Sequence, residues 1–163
     1  MVSTPNAGTA GTSGELTFES GIATDGSSGG ISLRTGSSSG GKGGDILLVV
    51  GSSDSSEGGS VSIQSGAGSS ESSGAITLST AGDSLSTGDI MIGSGDSVAG
   101  VTGAIELTSG EGTAGSSGSV VIGTGLTTGA TSGSVTLSSG DASTGRGGLM
   151  SVLSGSGDSG IGG

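Results

Sequence analysis

The chain has 163 residues, of which 41 are Gly, 38 are Ser and 18 are Thr, so more than half of it carries almost no side chain to pack. Lys and Arg number 3 against 14 Asp and Glu, a net charge of −11 that opposes binding to a nucleic-acid backbone. The lack of His and Cys removes the usual zinc sites, thiol nucleophiles and imidazole triads, and no apolar run reaches the ~18 residues of a membrane span.

Met1 is followed by Val-Ser-Thr-Pro-Asn, which has neither the basic nor the apolar part of a signal peptide. From residue 14 a pattern sets in. A segment of the form Gly-x-apolar-x-apolar-x-Ser/Thr-Gly opens at Gly14 (GELTFESG), Gly29 (GGISLRTG), Gly44 (GDILLVVG), Gly59 (GSVSIQSG) and Gly74 (GAITLSTA). It returns at Gly88 (GDIMIGSG), Gly103 (GAIELTSG), Gly118 (GSVVIGTG), Gly133 (GSVTLSSG) and Gly148 (GLMSVLSG). The spacing is 15 residues throughout, apart from one step of 14 between Gly74 and Gly88. A flexible Gly/Ser linker has no reason to keep such a register.

The third position of the repeat reads Leu16, Ile31, Ile46, Val61, Ile76, Ile90, Ile105, Val120, Val135 and Met150. The fifth reads Phe18, Leu33, Leu48, Ile63, Leu78, Ile92, Leu107, Ile122, Leu137 and Val152. Alternating apolar residues rich in Ile and Val predict a short strand with one buried face. Two apolar residues cannot form a core alone, but stacking each repeat on the next would bury them. The expected fold is therefore all-β: a parallel β-solenoid of about eleven 15-residue coils, with a thin Ile/Leu/Val core and a length of roughly 50 Å. The alternative is that each repeat forms an antiparallel hairpin.

On this reading residues 1–163 form a single repeat array. Residues 1–13 and 156–163 are partial coils, and 14–155 hold the ten repeats with their connecting turns. The cut ends predict either a longer repetitive protein or end-to-end stacking of subunits.

The connecting half carries its own expectations. Small residues at the tenth position (Ala23, Ser38, Ser53, Gly68, Ser97, Gly112, Thr127, Ala142, Gly157) would let two sheets approach closely. Gly at the first and eighth positions suits corners that need positive φ or close backbone approach. A Ser/Thr column at the seventh position, broken by Val50, would satisfy backbone groups at those corners.

Charges in adjacent coils fall at matching positions: Glu19 with Arg34, and Lys42 with Glu57. Asp96 and Glu111 stack like on like, with Asp83 one coil earlier. The preferred reading is a solvated acidic corner, and a Ca2+ bridge is the alternative. The stretch GGKGGDIL at 40–47 resembles one copy of the calcium-binding nonapeptide of secreted toxins, with Asp45 as ligand. That family repeats every nine residues and needs Leu47 inside, where this register puts Ile46 and Leu48. No acid recurs with the repeat or sits among apolar residues that would tune it for catalysis, so neither an enzyme nor a cofactor is expected.

Leu47, Val49, Met91, Val121, Leu149 and Leu153 face outward in this register and would serve lateral contacts. The outward fourth and sixth positions do not form a uniform Thr array, which weighs against ice binding, the main alternative function. The segments SGSVTLSSGDASTG and GAIELTSGEGTAGSSG resemble the Gly/Ser-rich repeats of very large surface proteins of algae and related protists and of some microbial fibrous adhesins. That resemblance implies an extracellular, structural role. The expectation is a building block of an extracellular filament or surface fibre, self-associating head to tail and laterally, with no nucleic acid and no membrane insertion.

Overall fold

The computed structural model describes residues 1–83 and 85–157, so most of the partial coil expected at 156–163 lies outside the described residues. The chain divides into two units, Met1–Leu78 and Ser79–Gly163. The boundary falls within the repeat that is followed by the single 14-residue step.

Among the described residues there is no helix and no strand. This overturns the β-solenoid. A coil of 15 residues needs a ladder joining each residue to its equivalent one repeat on, and the backbone–backbone hydrogen bonds present run elsewhere. The Gly74 N–H donates to the Gly66 carbonyl at 2.9 Å, and the Gly148 N–H donates to the Gly140 carbonyl at 3.0 Å. Both join the eighth position of one repeat to the first position of the next. The chain therefore doubles back within each connection, and no turn of a coil is completed.

The 15-residue period survives in the turns. Bends lie at residues 24–26, 39–41, 54–56 and 69–71 of the first unit, and at 98–100, 113–115, 128–130 and 143–145 of the second. Each covers the eleventh to thirteenth positions of its repeat. A Ser at the tenth position prepares three of them: Ser38 Oγ accepts the Gly41 N–H, Ser53 Oγ the Ser56 N–H and Ser97 Oγ the Gly100 N–H, all at 3.0–3.1 Å. A short hydroxyl side chain folding onto the backbone three residues later is a standard way to start a turn. The small tenth-position residues thus shape local turns, and among the described residues there is no sheet for them to pack against.

Glycine at the tenth position does this without a side chain. A Cβ on Gly68 would collide with the carbonyl oxygen of Glu71 and lie 2.8 Å from that of Ser72. One on Gly112 would collide with the Gly115 carbonyl. Positive φ, expected at the first and eighth positions, is found instead at Gly26 (102°) and Gly145 (112°), which close two of the bends, and at Gly8 and Gly11 near the start of the chain.

No described residue is buried, and Thr4, Ser65 and Thr127 are the most shielded. The expected core is therefore corrected in both units. In the first, Leu16, Phe18, Ile31, Leu33, Ile46, Leu48, Val61, Ile63, Ile76 and Leu78 all face solvent. In the second, Ile90, Ile92, Ile105, Leu107, Val120, Ile122, Val135, Leu137, Met150 and Val152 do so. The physical reason is that each doubled-back connection closes on itself within about nine residues. The apolar segments within each unit are left without an opposite face to cover them.

Candidate functional site

The features that recur with the repeat are of two kinds, and each is built by a few residues. The first is a closure at every connection. A methyl group placed on the first-position Gly would touch the seventh-position side chain of the preceding repeat: Ser20 for Gly29, Thr35 for Gly44, Ser65 for Gly74, Thr80 for Gly88 and Thr124 for Gly133. At Gly44 and Gly148 the gap would be only 3.1 Å, and at Gly59 the Cγ1 of Val50 would lie 2.6 Å away. Close approach thus favours Gly at Gly14, Gly44, Gly59 and Gly148, while at the other first positions a methyl group would make ordinary contact. The eighth-position glycines Gly21, Gly36, Gly51 and Gly110 face open space, so neither crowding nor dihedral geometry explains them.

Hydroxyls complete some closures, though among the bonds described only Thr35 of the seventh-position side chains reaches a backbone group. Thr35 Oγ1 donates to the Gly44 carbonyl at 3.0 Å, and Thr4 Oγ1 donates likewise to Gly14. Thr124 and Ser132 share a hydrogen bond at 3.3 Å while Ser132 Oγ donates to the Gly133 carbonyl. These are exposed neutral bonds, worth at most about 1 kcal/mol each.

The second recurrent feature is the apolar surface. Third-position side chains are 48–65% exposed, from Ile90 to Ile31, and fifth-position ones 65–88%, from Leu137 to Val152. The outward Leu47, Met91, Val121 and Leu149 reach 84–92%. Exposure does not separate the two faces cleanly: Val152 at 88% exceeds its outward neighbour Leu153 at 83%, and Val49 matches Leu48 at 73%.

Two hollows show how neighbouring repeats meet. An open depression of about 430 Å³ in the first unit is lined by Phe18, Ile31, Ser32 and Leu33. Another of about 380 Å³ in the second is lined by Thr136, Leu137, Ser138, Ser139, Leu149 and Met150. Both join the fifth position of one repeat to the third position of the next, as doubling back requires.

Charged groups do not follow the expected pairing. Lys42 Nζ lies 2.9 Å from both carboxylate oxygens of Asp45, three residues on, and not against Glu57. No ion pair joins Glu19 to Arg34. The pair Lys42–Asp45 also occupies the carboxylate that the nonapeptide resemblance assigned to calcium. Asp83, Asp96 and Glu111 do not come together, since among the described residues no three acidic side chains form a group able to hold a metal ion. Among those residues, too, no helix is long and apolar enough to cross a membrane. The Thr17 hydroxyl, one of the outward fourth-position groups, points back to Glu15 Oε1 at 3.4 Å.

No family model, curated protein or solved structure matches the chain.

Proposed function

We propose that this chain is a structural building block that associates with further copies of itself into a filament or fibre, and that it does so through its repeated apolar positions. One observation carries the reading: twenty large apolar side chains, placed at the same two positions in ten repeats, all stand at least 48% exposed. Solvent-facing apolar surface on this scale marks an interaction surface. A partner that is itself a copy of this chain offers the same period, so contact made by one repeat aligns all the others. The driving force is burial, at about 25 cal/mol per Å² of apolar surface removed from water. The extracellular setting belongs to the same proposal and is supported by the resemblance of the Gly/Ser-rich repeats to surface and adhesin proteins.

Sedimentation and negative-stain microscopy over a concentration series test this. The expected result is a monomer when dilute and elongated particles of many copies when concentrated, with association weakening as temperature falls. A chain that stays monomeric up to millimolar concentration would overturn the proposal.

A further inference from the structure

We infer that Ile46–Val50 is the segment at which a second copy of this chain first pairs. The inference rests on the self-association reading above and names where it begins. Ile46, Leu47, Leu48, Val49 and Val50 form the one place in the sequence where five large apolar residues follow each other. In the other repeats the fourth and sixth positions hold mainly Ser, Thr, Gly or charged residues, so only one alternating face is apolar throughout. In this repeat both are. All five side chains are exposed, from 41% at Val50 to 84% at Leu47.

Backbone and charge point the same way. Among the described residues no backbone–backbone hydrogen bond involves residues 46–50, so their N–H and C=O groups can pair with another chain. A short run of high β-propensity, uncharged and without Pro or Gly, is the composition that pairs with copies of itself. The chain as a whole carries −11 and repels its own copies. Around this segment the repulsion is absent. Between Gly30 and Ser53 the charged residues are Arg34, Lys42 and Asp45, and Lys42 and Asp45 neutralise each other at 2.9 Å.

The contact is of the size of a first encounter. Side chains of this class carry roughly 60–120 Å² of apolar area each, so five from each of two copies would remove at most roughly 600–1,200 Å² from water. Only the top of that range meets the lower end of specific interfaces, about 1,200 Å², and further repeats must join to complete a stable one.

The test follows assembly of the purified 163-residue chain by light scattering, comparing wild type with L47S/V49S and with M91S/V121S. The second variant removes two outward apolar residues of similar exposure from repeats whose sixth position is Gly, so that the apolar run there is three residues long. The expected result is a lag at least about tenfold longer for L47S/V49S, and a lag within about twofold of wild type for M91S/V121S. A second readout uses the lack of cysteine in the chain: S52C should trap disulfide-linked dimers during the lag, and S117C should not. Equal lags for the two double variants, or equal trapping at both sites, would overturn the inference while leaving self-association standing. A wild-type chain that never assembles would overturn both.

Discussion

Each repeat contains two segments that the structure treats in opposite ways. The apolar half, such as Ile76–Leu78 or Ile105–Leu107, has the bulk and the alternation of a buried strand and is left open to solvent. The connecting half, made of Gly, Ser and Thr, holds the specific contacts: the 10-to-13 hydroxyl turns, the Gly66–Gly74 and Gly140–Gly148 bonds, and the tight fit of Val50 against Gly59. Small residues define the local shape of this chain, and large ones stand open to solvent. Composition alone would have assigned those roles the other way round.

Removing an apolar side chain should separate the halves most sharply. Ile76→Ser or Leu107→Ser should leave the dilute chain unchanged within about 0.5 kcal/mol. In the assembled state either should cost about 1.5–3 kcal/mol per copy, seen as a rise in the concentration needed to sediment. Thr77→Ser should change neither the dilute chain nor the assembled state.

The connections should respond to crowding. Gly68→Ala forces a methyl group onto the Glu71 and Ser72 carbonyls, a clash worth about 1–3 kcal/mol. It should open that connection and speed exchange of the Gly74 amide. Gly66→Ala, where nothing lies within 4 Å, should not crowd the turn and should change that exchange much less.

A smaller effect is expected where a hydroxyl only assists the turn. Ser97→Ala removes the acceptor of the Gly100 N–H and should speed exchange of that amide by about twofold to tenfold. Smallest of all, Lys42→Ala breaks an ion pair whose two side chains are 80% and 75% exposed. It should change chemical shifts near Asp45 by an amount that fades with added salt, for an energy below about 1 kcal/mol.

Much of this organisation was legible in the residues. The register that gives Gly at position one and Ser or Thr at position seven also locates the bends described between repeats. The third and fifth positions are large and apolar in all ten repeats, and they stand exposed in the structure. Burial was not legible. A period-two pattern at Ile31 and Leu33 says that these side chains share a face, but it does not say whether the same chain supplies the opposite face. Ser38 and Ser53 were small enough for sheet packing and equally suited to capping a turn three residues on; only the path of the backbone decides between these uses. Lys42 likewise had Glu57 one repeat away and Asp45 three residues away. The local partner won, because doubling back breaks the 15-residue alignment that the distant pair required.

Residue-resolved amide exchange on the dilute 163-residue chain decides between closed connections with open apolar segments and any stacked alternative. The expected result is slowest exchange at Gly74 and Gly148, intermediate exchange at Gly41, Ser56 and Gly100, and near-unprotected amides through Ile76–Leu78 and Ile105–Leu107. Continuous protection through the apolar segments of successive repeats, with Gly74 and Gly148 no slower than their neighbours, would contradict it.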